Sequence, residues 1–169
     1  MLIAYFDEPH QTDMRLMEGL IRARLYGKAI FSSPLRRTVK QLEANGIGAP
    51  DGLAYLPFEL LSCGVLVHQG GFGTTMAGIA AGVPQVIVAT DAESTLIANA
   101  LAARNAGTAL DWRSFDGPDL AIAIRTTADD KKMQKAARDL SLANTPYLQF
   151  DAAAEIAKSA ARLLNSQDC

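Results

Sequence analysis

A run of three glycines and two threonines near the middle of the chain has the composition of a phosphate-binding loop. It follows an apolar stretch and reads Val67-His68-Gln69-Gly70-Gly71-Phe72-Gly73-Thr74-Thr75. Glycine has no Cβ atom, so a phosphate can approach the backbone closely, and the first N–H groups and the dipole of a following helix both attract an anion. A threonine hydroxyl adds a donor, or instead caps the helix as part of a tight turn. Three glycines exceed what a turn needs, so the run predicts phosphate binding.

Two well-known phosphate loops fit this run poorly. The P-loop of nucleotide hydrolases ends in Gly-Lys-Ser/Thr, and here Gly73 is followed by threonine with no lysine nearby. The dinucleotide-binding fingerprint needs its third glycine soon after the second, and Gly78 comes too late for that spacing. Asp91 nevertheless lies where a ribose-binding acid is expected, so a dinucleotide-binding domain stays open as an alternative.

The elements that position this run can be predicted from apolar periodicity and from the glycine and proline positions. Strands are predicted at residues 2–6, 29–31, 53–55, 65–67, 85–89 and 108–110. Helices are predicted at residues 14–25, 34–46, 74–81, 93–104, 118–125, 130–143 and 152–164, with a short helical turn at 58–61. Gly27 is expected to close the first helix. The alternation predicts a Rossmann-like α/β fold, a parallel sheet with helices on both faces, in which ligands bind beyond the carboxyl ends of the strands.

Length and composition indicate one globular domain. The 169 residues are enough for one α/β core and too few for two sizeable domains. The net charge of −2 lacks the basic excess of a nucleic-acid-binding protein, and no apolar run approaches the length of a membrane span. No secretion signal follows Met1, so a cytoplasmic location is expected. Cys63 and Cys169 have neither the number nor the spacing of a disulfide framework or metal site, and no metal or cofactor is predicted.

Residues 64–110 resemble the C-terminal domain of the UDP-glycosyltransferases. The resemblance is carried by the glycine run, by Ala80-Ala81-Gly82-Val83-Pro84-Gln85 and by Ala106-Gly107. These enzymes have the GT-B fold and include glucuronosyltransferases, plant secondary-product glycosyltransferases and bacterial macrolide and antibiotic glycosyltransferases. The resemblance implies that the chain is the half that binds a UDP- or dTDP-sugar, the donor of a hexosyl transfer with inversion.

The same resemblance implies roles for individual residues. The pyrophosphate would be held by Gly70, Gly71, Gly73 and Thr74, with His68, Gln69 and Thr75 beside it. Tyr55 would stack on the nucleobase, unless it and Phe58 are core aromatics. Glu93 and Ser94 would hold sugar hydroxyls, although Glu93 near a helix start also complements the dipole. His68 is equally expected as a satisfied structural residue at a strand end.

The chain departs from the family pattern at three places. Gln69 stands where many bacterial members carry a second histidine, so it donates a hydrogen bond without a positive charge. Ser94 replaces a glutamine, which leaves the sugar open, and the acidic Asp7-Glu8 follows the first strand where the family has Gly-Ser.

The acceptor-binding half of the family is missing from these 169 residues. In the family that half supplies the catalytic base, and His10 is expected to be a solvated loop residue, so no base is assigned. The chain is therefore expected to need an acceptor-binding N-terminal domain or a partner chain, and to be inactive alone. The alternatives are a natural subunit of a split enzyme and a binding module without turnover.

Overall fold

The computed structural model describes residues 1–6, 13–31, 36–49, 55–148 and 152–165. The described residues form one six-stranded sheet in which every neighbouring pair is parallel. Along the chain the strands are β1 Leu2–Phe6, β2 Gly27–Phe31, β3 Ile47–Gly48, β4 Val65–His68, β5 Gln85–Ala89 and β6 Gly107–Asp111. The predicted Rossmann-like parallel sheet is thus confirmed.

Helices cover both faces of this sheet. They are α1 Met14–Arg22, α2 Arg36–Glu43, α3 Leu56–Glu59, α4 Phe72–Ala81, α5 Ala92–Ala103, α6 Gly117–Asp129, α7 Lys131–Leu148 and α8 Ala152–Asn165. A short 3₁₀ turn, Leu60–Ser62, joins α3 to the approach of β4. Helix α1 packs against α6 on one face, and α4 packs against α3, α5 and α7 on the other.

Alternate strand residues point to opposite faces and so build two sides of the core. On the α1 and α6 side, Leu2, Ala4 and Phe6 pack with Leu16 and Leu120. The other side holds two clusters, whose members include Ile3, Leu60, Leu66 and Val83 in one and Ile87, Ala98, Leu101 and Ala137 in the other.

The strand order places a topological switch point beside the glycine run. The order is β3-β2-β1-β4-β5-β6, so the chain reverses direction across the sheet between β1 and β4. Ligands of such sheets bind in the crevice outside the carboxyl ends of the strands at this point. In dinucleotide-binding folds the glycine turn follows the first strand, whereas here it follows β4. That position disfavours the dinucleotide alternative.

Some predicted boundaries are wrong for local reasons. Helix α1 ends at Arg22, and Arg24 takes a left-handed φ of 53°, so the chain leaves the helix before Gly27. Gly27 instead opens β2, where a Cβ atom would lie 2.1 Å from the Leu2 carbonyl oxygen. The two-residue strand β3 was not predicted because so short a run has no periodicity.

Other predicted elements lie partly outside the described residues. Most of the strand predicted at 53–55 lies outside them, and Tyr55 itself is the N-cap of α3. Pro34, where the second helix was expected to start, also lies outside. None of the described helices combines the length and apolar content that crossing a bilayer needs.

Candidate functional site

The chain turns from β4 into α4 through only three residues, from Gln69 to Gly71. Helix α4 begins at Phe72, two residues earlier than predicted, and its N-cap Gly71 contributes no side-chain cap. The N–H groups of Phe72, Gly73 and Thr74 have no acceptor within the helix. The predicted threonine cap is wrong, because the Thr75 hydroxyl is buried and donates to the Gly71 carbonyl at 3.0 Å. Thr75 is therefore turned away from any ligand at the start of α4.

The three glycines of the run have different physical roles. Gly70 has a left-handed φ of 95°, and a Cβ atom there would lie 2.7 Å from Ser94 Cβ and 2.9 Å from Ile87 Cγ2. Gly70 is thus required for the turn and for packing. A Cβ atom on Gly71 or Gly73 would meet nothing within 4 Å. These two glycines leave open space in front of the helix start, which is where an anion would approach.

His68 is buried at the end of β4 with both ring nitrogens in hydrogen bonds. Its Nε2 lies 2.8 Å from Gln85 Oε1, and its Nδ1 accepts the Gly70 N–H at 3.1 Å. Because Gln85 Oε1 can only accept, His68 carries its proton on Nε2. The ring is 0% exposed. His68 is therefore not a ligand contact, which corrects the role that the resemblance implied, and the Gly70 N–H is not available to phosphate either.

Burial lowers the pKa of His68 to about 4 from an ordinary value of 6.5, although the hydrogen bond that His68 donates to Gln85 opposes this shift. Between these values the unfolded chain binds a proton that the folded chain does not, so stability rises with pH through this window. We expect His68 to contribute stability that is fully present near pH 7 and is lost towards pH 4, by roughly 3 kcal/mol. Urea unfolding of the wild type and of His68→Asn from pH 7 to pH 4 measures this difference. Parallel pH profiles of the two proteins would contradict the prediction.

The turn from β5 into α5 closes the other side of the site with a capping box. Asp91 is the N-cap of α5 and accepts the Ser94 N–H at 2.8 Å. The Ser94 hydroxyl accepts the N–H groups of Thr90 and Asp91, both at 3.0 Å, and lies 2.8 Å from Asp91 Oδ1. Hydrogen bonds from the Ser94 backbone and side chain lower the pKa of Asp91 below its ordinary value. The carboxylate therefore compensates the N-terminus of α5.

The capping box uses the side chains of two residues that were predicted to contact ligand. Ser94 is 4% exposed and its hydroxyl is fully used, so it cannot also hold a sugar hydroxyl as the resemblance implied. Asp91 is engaged in the cap, which further disfavours a ribose contact and the dinucleotide alternative. Glu93, in the first turn of α5, is exposed.

The two turns enclose a cavity of about 340 Å³ at the carboxyl ends of β4 and β5. Its lining residues are Gln69, Gly70, Gly71, Phe72, Thr90, Asp91, Glu93 and Ser94. None of these lining residues is basic, and two are acidic. Since α5 is already compensated by Asp91, the uncapped N–H groups of α4 are the positive end that an anion in this cavity would meet.

The structure brings part of the predicted site together. Gln69, Gly70, Gly71, Glu93 and Ser94 line the cavity, while Gly73 and Thr74 lie in the first turn of α4. Tyr55 does not line the cavity.

The alternative that Tyr55 and Phe58 are core aromatics is wrong, because Tyr55 is 76% exposed and Phe58 is 69% exposed.

The predicted residues Asp7, Glu8 and His10 lie outside the described residues. Gln85, Phe72 and the capping role of Asp91 were missed in the sequence analysis, although an aspartate just ahead of a helical segment is itself a signal for an N-cap. Within the described ranges, no three or more His, Cys, Asp and Glu side chains converge as metal ligands would.

Comparison with protein families gives a match over residues 46–163 to erythromycin biosynthesis protein CIII-like, C-terminal domain. Among curated relatives, elloramycin glycosyltransferase ElmGT of Streptomyces olivaceus is 38% identical over 81 residues. The match covers 48% of this chain and 21% of ElmGT. The chain thus corresponds to only part of that relative's length.

Solved structures share the fold over most of the chain. Glycosyltransferase VinC, in complex with dTDP, superposes with a TM-score of 0.70 at 20% identity, over 83% of this chain and 36% of VinC. SsfS6, a glycosyltransferase of Streptomyces sp. SF2575 complexed with thymidine diphosphate, gives a TM-score of 0.60 at 23% identity, over 83% of this chain and 36% of SsfS6. At these identities the likeness concerns the fold alone.

Proposed function

We propose, because the chain belongs to the family of erythromycin biosynthesis protein CIII-like C-terminal domains, that it binds the sugar donor of a glycosyltransferase. It is a glycosyltransferase C-terminal domain of the GT-B type. The observation that carries the proposal is the start of α4, where the uncapped N–H groups and the open Gly71 border the cavity at the carboxyl ends of β4 and β5, with the open Gly73 in the first helical turn. Such a helix start suits the diphosphate of a nucleotide sugar.

Thymidine diphosphate is the nucleotide that we propose first, with uridine diphosphate as the second choice. VinC and SsfS6 were both solved with thymidine diphosphate, and this chain shares their fold. Tyr55 stands exposed at the start of α3, which packs against α4, and offers an aromatic face on which the base can stack. Gln69 at the loop is proposed to donate to a phosphate oxygen.

Glu93 is proposed to accept hydrogen bonds from sugar hydroxyls. It is exposed and lines the cavity, whereas the neighbouring Ser94 hydroxyl is engaged in the cap. When the bond from the anomeric carbon to the diphosphate breaks, negative charge develops on the leaving oxygen. The N–H groups of Phe72, Gly73 and Thr74 point from fixed backbone and can stabilise that charge without reorganisation.

A second, acceptor-binding half is proposed to complete a hexosyl transfer with inversion. The chain covers 36% of the length of VinC, so relatives of this fold contain much more protein. The only described histidine, His68, is buried with both nitrogens engaged and cannot act as a general base. We therefore propose that the base and the acceptor site come from another domain or chain, and that the isolated chain binds donor without turnover.

Calorimetric titration of the purified chain with dTDP, UDP, dTDP-glucose, UDP-glucose and NAD tests the proposal. We expect saturable binding of a thymidine or uridine nucleotide and no binding of NAD. Binding of NAD alone, or of none of the five compounds, would refute donor binding by the isolated chain.

The role of Glu93 is tested by comparing the sugar nucleotide with the free nucleotide. Glu93→Ala should weaken dTDP-glucose about tenfold, equivalent to ~1.4 kcal/mol, because hydrogen bonds to the sugar are lost. Binding of dTDP itself should change less than about twofold. Asp119→Ala is the matched control, since Asp119 is an exposed acid in the first turn of α6. Equal effects of Glu93→Ala on both ligands would mean that Glu93 acts only through the helix dipole.

A further inference from the structure

A buried polar network connects the end of β4, the start of β5 and the first turns of α4. His68 Nε2–H donates to Gln85 Oε1 at 2.8 Å, and Gln85 Nε2 donates to the Thr75 carbonyl at 3.2 Å. The Gly70 N–H donates to His68 Nδ1 at 3.1 Å. Every hydrogen bond runs in one direction, from Gly70 through the imidazole and the amide to the helix.

The two side chains of the network are buried and closely packed. His68 is 0% exposed and Gln85 1%. A Cβ atom on Gly78 would lie 2.6 Å from Gln85 Nε2, so the glycine at that position lets α4 lie directly on the amide. Because buried polar groups must be paired, neither amide atom of Gln85 can be exchanged for the other without losing both of its bonds.

The two backbone groups that the network holds flank the segment proposed to contact phosphate. Gly70 lies immediately before residues 71–74, and Thr75 lies immediately after them. The bond to His68 uses the Gly70 N–H at a φ of 95°, and this conformation directs the chain into α4. An apolar pair could fill the same space, but it would fix neither the Gly70 N–H nor the Thr75 carbonyl.

We infer that His68 and Gln85 are positioning residues that hold residues 71–74 in the orientation required by a nucleotide diphosphate. The ligand in this inference rests on the proposed function. The arrangement of the unliganded loop does not, because it follows from hydrogen bonds within the chain. His68 therefore affects affinity through Gly70 and not by touching the diphosphate.

Two substitutions of His68 separate its two hydrogen bonds. In His68→Asn the Oδ1 atom takes the place of Nδ1 and still accepts the Gly70 N–H, while the bond to Gln85 is lost. In His68→Gln the side-chain amide reaches Gln85, while the acceptor for Gly70 is lost. Thr127→Val is the matched control for stability, because it removes the hydrogen bond between the buried Thr127 and Thr108 on β6, which does not involve the loop.

The readouts are affinity for dTDP and, without ligand, amide hydrogen exchange of Gly70 and Thr75, whose hydrogen-bonded N–H groups flank residues 71–74. We expect His68→Gln to speed exchange of the Gly70 and Thr75 amides at least tenfold and to weaken dTDP at least tenfold. His68→Asn and Thr127→Val should stay within about threefold of wild type in both readouts. Equal effects of the two His68 variants would overturn the inference. If wild type fails to bind dTDP, the proposed function fails, and the exchange data alone still decide the positioning role.

A further test uses the wild-type protein, so it does not depend on whether a variant folds. A scalar coupling across the hydrogen bond between Gly70 N and His68 Nδ1, with the proton of the ring on Nε2, is expected in nitrogen-labelled protein. A ring protonated on Nδ1 would overturn the inference, because it could not accept the Gly70 N–H.

Discussion

Gly70→Ala should lower the free energy of unfolding by about 3 kcal/mol, the largest stability loss expected for any single methyl group added to the loop. A non-glycine residue at a φ of 95° is strained by roughly 1–3 kcal/mol. The new methyl would also be forced against Ser94 and Ile87, and overpacking of this kind costs roughly 1–3 kcal/mol. Urea unfolding at neutral pH measures the loss.

Two other glycines provide matched controls for Gly70. Gly46 also has a left-handed φ, of 78°, but a Cβ atom there meets nothing within 4 Å, so Gly46→Ala measures the backbone strain alone. Gly71 has a φ of −58° and open space, so Gly71→Ala should leave stability equal or up to about 1 kcal/mol higher. If Gly70→Ala loses no more stability than Gly46→Ala, the packing of Gly70 against the capping box is not as described.

The sheet was predictable because its strands are buried on both faces. Runs such as Leu2–Phe6 and Gln85–Ala89 are almost wholly apolar, and covered parallel strands need this composition along their whole length. The position of the glycine run after such a strand also predicted that it lies at the carboxyl ends of the strands, where the structure has it. Helix starts were less predictable, since the cap of α4 is a glycine whose backbone conformation the sequence does not reveal.

Whether a polar residue binds ligand or bonds within the chain depends on its burial. The residue type at a single position does not show how buried that residue is. His68 and Ser94 are residue types that bind ligands, yet each is buried with its hydrogen bonds directed at the chain itself. Their partners, Gln85 and Asp91, lie 17 and 3 residues away. The cap at Asp91 is local in sequence and could have been predicted, whereas the His68–Gln85 pair forms only because β4 and β5 are neighbours in the sheet.

The consequence for binding is that the diphosphate would meet backbone and no basic side chain within the described cavity. Gln69 is neutral, the Gly70 N–H is engaged, and Asp91 and Glu93 bring negative charge. Affinity should therefore depend chiefly on the geometry of residues 71–74. Substitutions at Gly73 test this directly, because the position is exposed and its Cβ would point into open space.

Gly73→Asp should weaken dTDP at least 100-fold, equivalent to ~2.7 kcal/mol, while the fold is kept. Gly73 lies in the first turn of α4, where an acidic side chain stabilises the helix dipole by roughly 0.3–1 kcal/mol and removal of glycine helps further. The aspartate carboxylate thus takes the place of the ligand's negative charge at the start of α4. Stability and affinity should move in opposite directions, measured by urea unfolding and by calorimetry on the same preparations.

Gly73→Asn separates charge from bulk, because asparagine has nearly the same shape without the charge. We expect it to weaken dTDP about tenfold, and we expect only the aspartate variant to recover affinity as salt rises, since salt screens exposed charges. Equal losses for the two variants at all salt concentrations would show that space and not charge governs the helix start. Unchanged affinity in Gly73→Asp, with wild-type binding intact, would mean that the diphosphate binds elsewhere, because a carboxylate and a diphosphate cannot share the same N–H groups.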